Sequence, residues 1–77
     1  MTLGELRKGQ KAQIVKGPDA SGMWGRLIEF GFVADAKLEI LAVAPFGGDP
    51  ILIRLHGTRV ALRREDVASI LVTLIEE

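Results

Sequence analysis

The chain has 77 residues, ten Lys+Arg against ten Asp+Glu, 48% hydrophobic residues and no cysteine. A domain of this length covers only about 60% of the surface its unfolded form exposes, and no disulfide can supplement so thin a core. Balanced charge excludes the basic stripe a nucleic-acid binder of this size relies on, and no apolar run approaches the ~20 residues needed to cross a bilayer. The expectation is one soluble, cytoplasmic domain, with no leader, no membrane insertion and no nucleic-acid partner. Its apolar excess calls for a closed sheet or for a partner that covers exposed apolar surface.

Leu3 and Leu6, three apart and preceded by Thr2 as N-cap, predict one helical turn laid over the end of a barrel, stopped by Gly9. From Gln10 to Val15 the residues alternate, Ala12 and Ile14 facing one way and Lys11, Gln13 and Val15 the other, which predicts a first strand exposed on one face. Gly17-Pro18-Asp19 breaks it. Met23, Trp24, Leu27, Ile28 and Phe30 then recur at helical spacing, with Asp19 or Ser21 as candidate N-cap, and predict a helix over 23–30. Gly31 stands where a helix end wants positive φ. With Phe30 as C-cap, Leu27 and Phe32 become the apolar pair that accompanies a Schellman ending, so Gly31 and Phe32 form the hinge between helix and strand.

Ala34-Asp35 turns the chain into a strand over 37–43, whose Leu41 to Ala44 are apolar on both faces and predict cover on both sides. The glycine- and proline-rich stretch Pro45 to Pro50 is a hairpin connection longer than two residues. A second hairpin follows, Ile51, Ile53 and Leu55 facing inward and Gly57-Thr58 leading into Arg59 to Leu62. Arg63 to Ser69 loses the period of two and predicts a single helical or 3₁₀ turn, its charges solvated and paired with one another. The last strand, Ile70 to Ile75, is too apolar for a surface edge. The chain is therefore mainly β, a small, strongly bent SH3-like barrel of about five strands with a short helix inserted after the first.

Chemistry is sparse in this chain. Its one histidine, His56, is out of phase with the core face of its strand, no thiol is present, and Gly47-Gly48 lies in a hairpin, where a phosphate cradle would have to open a helix. Carboxylates are scattered singly or in adjacent pairs, so no ligand cluster for a ferrous or zinc centre can be read from spacing. His56 is read first as an exposed strand-end side chain and second as half of a weak or interfacial transition-metal site with a carboxylate. The expectation is no enzyme, no catalytic residues and no cofactor.

Arg26-Leu27, Gly31-Phe32, the Leu38-Glu39-Ile40 strand, Ala44-Pro45-Phe46-Gly47, Asp49-Pro50 and Leu62-Arg63 together resemble the FeoA family of small proteins tied to bacterial ferrous iron uptake, over about Leu6 to Leu74. Ala34-Asp35 departs from a Pro-Gly common at that turn in FeoA-like sequences, and the second loop glycine is extra. The resemblance implies an accessory protein that docks to the cytoplasmic side of the membrane transporter FeoB. The same barrel also resembles the C-terminal domain of DtxR-type repressors, which implies a metal-responsive regulatory domain, but this chain has no residues for the helix-turn-helix that reading needs. If Leu27, Phe30 and Phe32 face the core, then Met23, Trp24 and Arg26 flank it, and Trp, Arg and Met are types favoured at interfaces. These three are the candidate contact for the transporter or for a second copy of this chain, against the plainer reading that Trp24 caps the barrel mouth.

Overall fold

A computed structural model describes residues 1–17, 24–45 and 47–75, with Trp24 described by its main chain only. Met23 and the N-cap candidates Asp19 and Ser21 lie outside the described residues. The strands are β1 (Lys11–Lys16), β2 (Lys37–Val43), β3 (Ile51–Leu55), β4 (Thr58–Leu62) and β5 (Leu71–Ile75), with helix α1 (Trp24–Glu29) between β1 and β2. All neighbours pair antiparallel, in the order β4-β3-β2-β1-β5. The sheet is bent but not closed by hydrogen bonds, and a 3₁₀ turn over Arg64–Val67 spans the gap between β4 and β5.

The inward positions are those the alternation selects. Ala12, Ile14, Leu38, Ile40, Ile51, Ile53, Leu55 and Val72 are buried, joined by Leu3 and Leu6 from the first turn and by Val67 and Ile70 near the last. Thr2 caps the turn Leu3–Glu5: its N–H and its hydroxyl both donate to the Glu5 carboxylate, at 2.9 and 3.0 Å. Those bonds, the main-chain one foremost, hold the Glu5 carboxyl below its ordinary value of 4.5.

A β-bulge explains where alternation fails. Ile40 faces Ile53 and Ala42 faces Leu52, so Leu41 is the extra residue, and inward phase passes from Leu38 and Ile40 to Val43. Contrary to the expected double cover, Leu41, Ala42, Val43 and Ala44 are each only half-buried. A second bulge lies between Ile14 and Lys16, and Val15 there is 59% exposed, on the outer side where alternation places it. The last strand is likewise an edge after all: Leu71 and Leu74 are exposed. The first residues shield part of it, since the Val72 N–H donates to the Met1 carbonyl and the Leu3 N–H to that of Ile70.

The Arg63-Arg64-Glu65-Asp66 run is also not what its charges predict. Half-buried Arg64 directs its guanidinium at main-chain carbonyls, Gly48 at 2.8 Å, Leu6 at 3.5 Å and Gly4, while its own N–H donates to the Asp49 carboxylate at 2.9 Å. Only a side chain with several donors in a fixed fork can gather three carbonyls from two segments in this way.

Candidate docking surface

Leu27 is the inward residue of α1, and the helix ends where Leu27 and Phe32 close on the core. The Gly31 N–H donates to Ile28 and the Phe32 N–H to Leu27, both at 3.0 Å, the bond pair of a Schellman ending, with Gly31 at φ +105°. Phe32 is fully buried. Phe30, expected in the core, is 50% exposed, because Leu27 and Phe32 already fill the closing contact and leave the C-cap side chain outside.

Arg26 is exposed and lies four residues before Phe30, so the two share one helix face. Val33, 44% exposed, is a second exposed apolar side chain just past the helix end. Arg26, Phe30 and Val33 are thus the exposed residues at this helix end; Met23 and the Trp24 side chain fall outside the described residues. Spacing missed Phe30 and Val33 because periodicity assigns a face only inside a helix, and both follow its last turn.

His56 comes to the same end of the molecule. It occupies the first central position of the two-residue turn joining β3 to β4, with His56 at φ 51° and Gly57 at φ 79°, a type I′ geometry. A Cβ placed on Gly31 would lie 2.9 Å from His56 Cδ2, so the imidazole rests against the Gly31 main chain. On its other side lies a pocket lined by Lys11, Lys37, Glu39 and Arg54. Among the described residues the one carboxylate in that lining, Glu39, is engaged by Arg54. Among the described residues no three His, Cys, Asp or Glu side chains gather to hold a metal, so the donor set does not fit a resident metal centre.

The strand order, the helix inserted after β1 and the 3₁₀ turn before β5 define a small SH3-like barrel. Residues 1–74 match the FeoA domain, and the chain belongs to the FeoA family. It is 39% identical, over 97% of its length, to the Fe(2+) transport protein A/Fe(2+) transporter FeoB fusion protein of Porphyromonas gingivalis, of which it spans 9%. It is 35% identical to a Campylobacter jejuni protein provisionally called Fe(2+) transport protein A, over 97% of this chain and 100% of that one. The structure of Stenotrophomonas maltophilia FeoA complexed with zinc, described as a prokaryotic SH3 domain protein, superposes with a TM-score of 0.80 at 33% identity, covering 95% of this chain and 89% of the other. The family is one of ferrous iron transport accessory proteins. Among the described residues no helix is long and apolar enough to cross a membrane.

Proposed function

We propose that this chain is a cytoplasmic accessory protein of ferrous iron uptake that docks to the cytoplasmic part of a FeoB-type transporter. The observation that carries the reading is the Porphyromonas gingivalis relative, in which a domain 39% identical to this one is part of the same polypeptide as the transporter. Fusion replaces a bimolecular encounter by an intramolecular one at effective concentrations of order millimolar, an advantage only where the two parts meet. The contact lies around α1, where Arg26 stands beside exposed Phe30 and Val33 and where Met23 and Trp24 precede in sequence. A cation set in apolar surface matches the composition of interface centres.

The test is binding of the purified chain to the detergent-solubilised transporter by biolayer interferometry. Trp24→Ala and Arg26→Glu should each weaken it by about 2 kcal/mol, roughly thirtyfold, with the melting temperature of Arg26→Glu unchanged. Full binding by a folded Trp24→Ala/Arg26→Glu double variant refutes this surface. Binding only to a second copy of the chain refutes the transporter reading.

A further inference from the structure

The register of the sheet distributes charge unevenly on its outer face. Lys11, Glu39, Arg54 and Arg59 stand side by side across β1, β2, β3 and β4. Glu39 is engaged by Arg54, so the one carboxylate of this row is spent on the inner arginine. Arg59 faces Arg54 directly, a like-charge cross-strand pair that destabilises the sheet unless a carboxylate joins it.

At the same place the sheet is unfinished. β3 is the sole sheet neighbour of β4 among the described residues. The two-residue turn makes Leu55 and Thr58 a hydrogen-bonded pair, so the N–H and C=O groups of Arg59 and Ala61 point away from β3. Thr58, Arg59 and Ala61 are exposed. On the inner face Val60 and Leu62 touch the core but stay only half-buried, as strand residues do when nothing lies along their second side. A free edge of this kind is a template for another strand.

We propose that the edge of β4 accepts an extended acidic segment of a partner polypeptide as a sixth strand. The segment takes the main-chain groups of Arg59 and Ala61, sets apolar side chains inward beside Val60 and Leu62, and places a carboxylate outward opposite Arg59. The charge row then alternates at both ends, with each arginine beside its own acid. A second copy of β4 does not supply this, because Thr58 to Leu62 contains no acidic residue and would bring Arg59 against Arg59 or Ala61. Nucleic acid would meet the cations but use neither the main-chain edge nor the apolar side. This face differs from that around α1, and the inference stands without the transporter reading.

The experiment uses ¹⁵N-labelled chain and two capped pentapeptides, Val-Glu-Val-Glu-Val and Val-Lys-Val-Lys-Val, titrated to millimolar concentration. The acidic peptide should shift the Arg59 and Ala61 amides and slow their hydrogen exchange, with affinity that falls as salt rises. Arg59→Glu should weaken acidic-peptide binding by roughly tenfold and favour the lysine peptide. Because Arg59 is exposed, Arg59→Gln serves as a folded intermediate case and should fall between. No change at Arg59 and Ala61, equal binding of both peptides by the native chain, self-association in place of binding, or displacement of the acidic peptide by an oligothymidylate each overturns the proposal.

Discussion

Replacing Arg64 by alanine removes the guanidinium that holds Gly48 at 2.8 Å, Leu6 at 3.5 Å and Gly4. The Leu6 contact is at the limit of a hydrogen bond and adds little, so two charge-assisted bonds remain, each worth about 1.5 kcal/mol at the low end of the range for a half-exposed site. Freeing a rotamer-rich side chain returns part of this, and water rehydrates the carbonyls incompletely, which leaves a loss of about 2–3 kcal/mol. A chain of this length has roughly 4–11 kcal/mol in all, and each kilocalorie moves its melting temperature by about 4–8 °C, so a fall of roughly 10–20 °C is expected. Urea unfolding followed by circular dichroism, with unchanged m-value, measures it. Arg64→Lys should recover less than half of the loss, since one ammonium cannot span three carbonyls. Arg63→Ala, at the exposed neighbour, should stay within about 0.5 kcal/mol. A comparably small effect at Arg64, or full rescue by lysine, would refute the argument.

Gly31→Val should destabilise by more than the ~1–2 kcal/mol strain of one left-handed residue, because its side chain also meets His56; a melting temperature within a degree of wild type would disprove it. Asp35, at φ 73° with the Ala36 N–H bonded to Val33 at 3.1 Å, occupies the third position of a type II turn, so Asp35→Gly should stabilise by about 0.5–1 kcal/mol in the same urea assay. Glu5 ionises below its ordinary 4.5, so its contribution is complete above that pH and disappears as pH falls through the lowered value. Carboxyl NMR titration should find Glu5 below its ordinary value, and Thr2→Val should move it only part of the way back, because the main-chain N–H is the larger cause. Zinc titrated calorimetrically into the monomer should show no site tighter than roughly micromolar; a tighter site lost in His56→Ala would contradict the donor geometry.

Most of the fold was legible because both periods were clean: Ala12 and Ile14, Leu38 and Ile40, and Ile51, Ile53 and Leu55 all face inward as alternation predicts. Errors cluster where an element ends or slips. Leu41 sits at a bulge, and one extra residue reverses the phase of everything after it. Ile70 to Ile75 looked too apolar for an edge because the cover given by Met1 to Leu3 is a contact between opposite ends of the chain, invisible to any local window. Arg64 was hidden for the same reason: a charge run shows nothing of carbonyls 16 to 60 residues away. The Ala34-Asp35 turn keeps the geometry of a Pro-Gly turn, with Asp35 taking the positive φ. For the proposed docking face, residue type selects Arg26, but the exposed Phe30 and Val33 lie beyond the helix, where a residue's direction is set by the cap.

The pairing of β1 with β5, and of Met1 to Leu3 with Ile70 to Val72, has a consequence for synthesis. At about 5–20 residues per second a ribosome takes roughly 3–11 s to pass from β1 to β5, so β5 emerges well after the strand it pairs with. Until then Ala12 and Ile14 lack one flank, and the carbonyls of Gly4 and Leu6 lack Arg64. The hairpins β2–β3–β4, whose partners are close in sequence, can assemble first, but the fold cannot be completed until β5 has emerged beside β1. Truncation by even the last strand should therefore leave an open, protease-sensitive intermediate.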